Sequence, residues 1–334
     1  MSTIKDVAKY TGLSIATISK YINGGNVLEE NRVIIKEAIE KLDYRRNEMA
    51  RGLKTNKTMT IGILIPSLEN IFFTSIVSII EDHLSKEGYG TIICDFREDA
   101  DLEQVKLEFL VNKNIDGIIM VSYGADQKYI KALQDKQVPV ILLDRMLRGL
   151  ECDCVLADNL NASYQAVEAL ITRQHKRIGI ILGPEETYTA EERSRGYIRV
   201  HEDYDVRIDN ALMVSTDYTV EGGYKALSDL WNKPDRPSAV MVTNYEMTIG
   251  AIMAINDLNI RVPDELSIIG FDNIQMSKVV RPPLSIVEQP MKEIGMTAAK
   301  LLVKRLKGDY DSFPATYRLK TNIYIKESVA KFQG

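Results

Sequence analysis

Between residues 60 and 272 the chain repeats one device: a short run of Ile, Val and Leu, a polar turn, then a longer amphipathic stretch. The runs are "TIGILIP", "GTIICDF", "GIIMVS", "PVILLD", "RIGIILG", "SAVMVT" and "LSIIGFD". They are apolar throughout rather than alternating, so each strand must be covered on both faces, which is the pattern of parallel sheet. The helical covers fall between them, as in Phe72–Lys86, Leu102–Asn112 and Ala162–Arg173. "TIGILIP" and "RIGIILG" both carry I-G-I, at Gly62 and Gly179, so the body reads as two similar α/β halves.

Ahead of this body lies a different kind of sequence. The chain has 334 residues and a net charge of −5, but residues 1–58 carry 11 Lys and Arg against 7 Asp and Glu. A basic head of +4 thus precedes an acidic body of −9, an asymmetry that points to a polyanion-binding module joined to something else. Three cysteines without a C-x-x-C pair fit reduced thiols in the cytosol. No apolar run has the length of a signal peptide or a membrane span, so the expected location is cytoplasmic.

The head opens with "TIKDVAKYTGLS", in which Thr3 and Asp6 have capping-box spacing, Ile4, Val7 and Ala8 share a face, and Gly12 ends the helix. Ser14 is placed to cap a second helix, "SIATISKYI", closed by the glycines of "NGGN". A third follows in "ENRVIIKEAIEKLDY", with Ile35, Ala38, Ile39 and Leu42 on one side. In the second helix, Ile18 and Ile22 face inward while Ile15, Ala16, Ser19 and Lys20 point away. Taken alone this is a short amphipathic surface helix; the turn and third helix make the three a helix-turn-helix module. In that geometry the second helix enters the DNA major groove.

The order "TIKDVAKYTGLSIATISKYINGG", "YRRNEMARGLKTNKTMTIGILIP", "IDGIIMVS", "ERSRGY", "IIGFDN" and "RPPLSIVEQP" resembles the lactose-repressor (LacI/GalR) family of bacterial transcription regulators over nearly the whole chain. The resemblance implies that Ile15, Ala16 and Lys20 read base edges, while Ser14, Thr17, Ser19 and Asn23 contact phosphates. It implies a hinge helix at about residues 48–54 in the minor groove, with Leu53 as the wedge. A polar linker whose Leu53 packs on the body is the other reading. Four positions depart from the family pattern: Lys20 for arginine, Leu28 for a capping serine, Arg46 for proline, and Tyr245 for an acid. Lysine lacks the planar fork of arginine, so the operator half-site is expected to deviate. Tyr245 removes the usual support of one cleft corner.

For the body the resemblance implies a periplasmic-binding-protein-like fold. An N-lobe is expected at about 60–159 and 288–319, and a C-lobe at about 160–287 and 320–334, together forming an effector and dimerisation domain at 59–334. Ligands in such sheets bind beyond the carboxyl ends of strands, where Asp144, Arg145, Asn244 and Asp272 stand. By match to the family motifs, Arg193 and Asp272 grip the effector and Asn244 assists, a trio suited to a sugar or sugar phosphate. Phe72, Phe73 and Tyr218 offer apolar faces, although each also has a core-packing reading, and Asp272 a capping one.

No nucleophile elbow, Walker loop or dinucleotide fingerprint is present, and "HEDYD" at His201 lacks the second histidine of a zinc motif. The expectation is a regulator, not an enzyme, with no cofactor and no metal. It is a carbohydrate-gene repressor working as a homodimer on pseudo-palindromic double-stranded operator DNA, with no leucine-heptad tail for larger assemblies. Two alternatives stay open: a catabolite-control-type regulator using a phosphorylated carrier protein, and a purine-responsive repressor.

Overall fold

In the computed structural model, residues 2–22, 24–44, 57–124, 127–147, 149–272 and 275–333 are described, and they fall into two units, 1–58 and 59–334. In the head, α1 (Ile4–Thr11), α2 (Ile15–Ile22) and α3 (Glu29–Lys41) close around Val7, Ile18, Ile35 and Ala38, all fully buried. The Thr3 hydroxyl accepts from the Asp6 amide at 3.3 Å and the Asp6 carboxylate accepts from the Thr3 amide at 2.8 Å, so α1 starts with two of its orphan donors satisfied. Gly12 takes a left-handed φ of +71°, reversing the chain within one turn so that Ser14 Oγ accepts from the Thr17 amide at 3.1 Å. Leu28, at the cap position of α3, makes no side-chain cap.

The body begins with β1 (Thr60–Ile65), α4 (Ile71–Lys86), β2 (Gly90–Asp95), α5 (Ala100–Asn112), β3 (Gly117–Met120), α6 (Gln127–Asp135), β4 (Val140–Leu143) and β5 (Asp153–Ala157). It continues through α7 (Asn159–Ile171), β6 (Ile178–Leu182), α8 (Tyr188–Asp203), β7 (Met213–Ser215), α9 (Val220–Trp231), β8 (Ala239–Val242), α10 (Tyr245–Asp257), β9 (Ser267–Phe271) and α11 (Met276–Val279). Then come β10 (Ser285–Glu288), α12 (Met291–Leu306), β11 (Thr316–Leu319) and β12 (Asn322–Tyr324). Two six-stranded sheets result, in the orders β11-β5-β4-β3-β1-β2 and β12-β10-β9-β8-β6-β7.

The second order is the first with each strand replaced by its counterpart, so β1 corresponds to β6, β4 to β9 and β5 to β10. Gly62 and Gly179 therefore occupy equivalent strands. The chain changes lobe three times: between β5 and α7, between β10 and α12, and between β11 and β12. Each sheet carries an apolar cluster on both faces, as continuous apolar strands require.

Two details lie beyond the sequence reading. The two lobes are built on parallel sheet as expected, with one antiparallel edge strand, β12 against β10. A short return across the lobe boundary brings the last strand back beside β10 without a crossover helix. The seven apolar runs also miss β5, β7, β10, β11 and β12. β11 and β12 are exposed edge strands with mixed polar sequence, and β7 has only three residues. β5 hides a buried acid, Asp153, in its first position.

In the C-lobe, α9 and α10 touch backbone to backbone. A Cβ on Gly250 would lie 1.9 Å from the Val220 carbonyl oxygen and 2.6 Å from the Tyr224 nitrogen. Gly250→Ala is expected to force the helices apart at a cost of about 3 kcal/mol, the upper end for overpacking because backbone cannot rotate away. Thermal unfolding measures this, and a change under about 0.5 kcal/mol would mean that the helices slide freely.

Candidate functional site

The head presents one face of α2. Ile15 is 46% exposed and Ala16 and Lys20 are exposed, because the inward row of α2 is taken by Ile18 and Ile22. Ser14 and Thr17 pair their hydroxyls at 2.8 Å at the helix start, and Ser19 is half-buried. Such a face offers small apolar groups and hydroxyls at the helix start and one cation, Lys20, in its last turn, the chemistry for phosphate positioning and base-edge contact. Asn23, Leu53 and the hinge segment 48–54 lie outside the described residues.

In the body, Phe73, Asp144, Arg193, Tyr218, Asn244 and Asp272 line one cleft, together with Asn70, Phe72, Glu98, Arg145, Thr189, Tyr245 and Gln289. The cavity between them is about 40 Å³, well below the roughly 300–1,000 Å³ of typical ligand sites. Strand ends build this cleft. Asp144 and Arg145 follow β4, Asn244 follows β8, Asp272 follows β9 and Gln289 follows β10, while Arg193 reaches in from α8.

The C-lobe side chains among these are held. Arg193 Nε donates to Asn159 Oδ1 at 2.9 Å, Nη1 donates to the Thr243 carbonyl, and the guanidinium lies 4.2 Å from the Phe271 ring centre. Asp272 accepts from Gln289 Nε2 at 2.9 and 3.2 Å. Burial pushes the Asp272 carboxyl up to about 6; the nearby Asp144 charge adds to this, while Arg193 and the Gln289 hydrogen bond oppose it. The Tyr218 hydroxyl meets Thr187 at 2.9 Å and Thr189 at 2.8 Å. Phe73 serves both readings, since it packs in the N-lobe core and lines the cleft.

Asn244 caps α10, its Oδ1 accepting from the Met247 amide at 2.8 Å. The corner left open by Tyr245 is supported from the next residue. Glu246 Oε2 accepts from Asn244 Nδ2 at 3.2 Å and from Asn70 Nδ2, across the lobe boundary, at 3.0 Å. Asn70 itself caps α4, accepting from the Phe72 amide at 2.9 Å. One carboxylate thus joins the first turns of two helices from opposite lobes, and burial pushes it up to about 7. Sequence reasoning missed Asn70, Glu246 and Gln289. Asn70 was legible as a cap before "IFFTSIVSII"; nothing local marks the other two.

No imidazole lines the cleft among the described residues. The imidazoles of His175 and His201 are buried elsewhere, bonded to Ser238 and the Ala330 carbonyl, and to the Tyr197 carbonyl. Among the described residues no group of three His, Cys, Asp or Glu side chains has metal-holding geometry, and no helix is long and apolar enough to cross a membrane.

Known proteins similar to this chain are regulators. Residues 3–47 match the model for bacterial regulatory proteins of the lacI family, and residues 167–329 match a periplasmic binding protein-like domain. Catabolite control protein A of Priestia megaterium is 36% identical over 304 residues, covering 90% of this chain and 92% of the relative. The HTH-type transcriptional repressor PurR of Proteus mirabilis (strain HI4320) is 33% identical over 309 residues, covering 92% and 91%. The solved complex of the transcriptional regulator CelR with cellobiose superposes with a TM-score of 0.74 at 26% identity, covering 98% of this chain and 100% of the other. The family model at the head, the binding-protein model in the body and two relatives matched over nine-tenths of the chain agree: this protein belongs to the LacI family of bacterial transcription regulators.

Proposed function

We propose that this protein is a cytoplasmic homodimeric repressor of carbohydrate-metabolism genes, whose operator affinity is set by a sugar-like effector bound between its lobes. The observation that carries the sugar reading is the convergence of Asp272, Arg193 and Asn244 on one small cleft. A carboxylate accepts from neighbouring hydroxyls, and a guanidinium donates to ring and hydroxyl oxygens. The likeness to a regulator solved with cellobiose supports the same reading. Two protomers are needed because one α2 spans a half-site only. Electrophoretic mobility shift on operator DNA, with and without neutral saccharides, tests it; a shift unaffected by any saccharide would refute sugar control. The identity to catabolite control protein A favours one second reading, a protein co-regulator, which a shift supplemented by a phosphorylated carrier protein would reveal.

In this reading residues 1–58 bind DNA and residues 59–334 bind effector and the second protomer. Ile15, Ala16 and Lys20 contact base edges; Ser14, Thr17, Ser19 and Asn23 contact phosphates; Leu53 is the minor-groove wedge. Lys20→Ala is expected to lose about 1–3 kcal/mol on the cognate operator and to relax preference at one base pair. Equal losses on cognate and scrambled DNA would make Lys20 a phosphate contact instead.

A further inference from the structure

The cleft is too narrow for the ligand assigned to it. A cavity of about 40 Å³ has room for roughly three waters, whereas small-molecule sites run from about 300 to 1,000 Å³. The lobes therefore stand closer together than a bound effector allows. Something other than ligand holds them there.

One contact across the lobe boundary is built for that task. Asn70 and Asn244 each cap a helix with Oδ1, accepting from the Phe72 amide at 2.9 Å and the Met247 amide at 2.8 Å. Those backbone donors fix which end of each side-chain amide is oxygen, so Nδ2 is the end that reaches away from its own helix. Both Nδ2 groups donate to one atom, Glu246 Oε2, at 3.0 Å from the N-lobe and 3.2 Å from the C-lobe. Hydrogen bonds to a carboxylate are charge-assisted and stronger than neutral ones. Asn70 and Asn244 line the cavity and Glu246 stands behind them, so the carboxylate grips the lobes and not the ligand.

Its position gives this contact leverage. The chain crosses between lobes from β5, β10 and β11, which lie with β12 at one edge of the two sheets. Asn70 follows β1, three strands from β5, and Glu246 follows β8, two strands from β10. At roughly 4.8 Å per strand, the bond lies about 10–14 Å from the crossings. A hinge rotation of about 15° moves it by roughly 3 Å, further than a hydrogen bond stretches. Arg318, which donates to the Tyr188 hydroxyl at 2.6 Å, sits on β11 beside the crossings and moves little.

We propose that Glu246 is a latch: its carboxylate holds the lobes shut by joining Asn70 to Asn244, and an effector enters only by breaking the Asn70 bond. This rests on reading the cleft as an effector site. Ligand and latch exclude one another, so the apparent affinity is the intrinsic one scaled by the fraction of molecules already unlatched. The latch thereby sets the effector concentration at which the regulator responds.

Nitroxide labels at Asp101→Cys and Glu221→Cys, exposed in the first turns of α5 and α9, test this by pulsed electron resonance on the full chain without ligand. The native Cys94, Cys152 and Cys154 are buried and do not label, and excess unlabelled protein suppresses distances between protomers. The original sequence is expected to give one narrow distance. Glu246→Ala removes the acceptor, and Asn70→Ser keeps a cap on α4 but is too short to cross. Both are expected to lengthen the distance by roughly 5 Å, the labels lying about four strand spacings from the crossings. Thermal unfolding confirms that the variants are folded. In calorimetry with cellobiose and ribose, Glu246→Ala is expected to bind about tenfold more tightly than the original protein, the opposite of losing a ligand contact. An unchanged distance in either variant, or saccharide binding by Glu246→Ala no tighter than the original, would overturn the latch. If the distance lengthens while neither saccharide binds any of the proteins, the sugar reading falls and the latch stands.

Discussion

Arg305→Ala is expected to destabilise the body by about 3–5 kcal/mol, the range for removing one partner of a buried ion pair. Arg305 Nε and Nη2 donate to Asp153 Oδ2 and Oδ1 at 2.7 and 2.9 Å, with both side chains 1% exposed. Its Nη1 also donates to the Asp309 and Asp311 carbonyls at 2.8 and 3.2 Å, and Asp153 Oδ1 accepts from the Ala315 amide at 2.8 Å. One guanidinium therefore ties α12 to β5 and to the loop that launches β11. Alanine would leave a carboxylate buried without its cation and take a donor from the Asp309 carbonyl, while the Asp311 carbonyl keeps Lys304 Nζ at 3.2 Å. Set against a typical domain stability of about 5–15 kcal/mol, the loss is large. Urea unfolding followed by circular dichroism measures it. The double variant Arg305→Met with Asp153→Leu should recover much of the loss, because a buried pair exchanged for apolar groups is often nearly neutral. A single-variant loss below about 1 kcal/mol would show that water reaches Asp153.

The second large effect concerns Asp272. Its carboxyl is raised from 3.8 to about 6 in the folded chain, chiefly by burial. Between those values the native state holds a proton that the unfolded state has released, so stability falls as pH rises. The contribution is present in full below the unfolded value and is lost once pH passes about 6. The two pKa units correspond to about 3 kcal/mol. Asp272→Asn removes this titration. Relative to the original protein, the variant should gain about 2–2.5 kcal/mol between pH 4 and pH 7.5, read from parallel denaturant melts. It should also bind the cleft ligand at least a hundredfold more weakly, because an amide cannot serve as the carboxylate acceptor. Parallel pH curves for the two proteins would show that Asp272 is already solvated, and unchanged ligand affinity would make it structural only. Glu246 is raised partly by the Asp272 charge, so its own shift shrinks in the variant and adds to the difference in the same direction.

The parts of this architecture that the sequence announces are those built by near neighbours. The capping box of Thr3 and Asp6, the left-handed Gly12 and the Ile18 row of α2 lie within a few residues of their partners. The helix-turn-helix was therefore readable. Seven strands were readable because burial on both faces demands unbroken apolar runs. Asp144, Asn244 and Asp272 were readable too, since the carboxyl ends of those strands must converge on one crevice.

What only the tertiary structure decided involves residues brought together from distant parts of the chain. Asn70 and Glu246 meet across the lobe boundary, and the loss of an acid at Tyr245 is made good by its neighbour's longer side chain. Gln289 reaches Asp272 because the chain changes lobe just after β10. β5 hides an acid that is tolerable only because Arg305 arrives from α12. None of these pairings leaves a periodic signature, because a polar residue inside a lobe is permitted by a single partner and not by the pattern around it. Local sequence determined which segments are helix, which are buried strand and where the strand ends lie; the three lobe crossings decided which charges face one another.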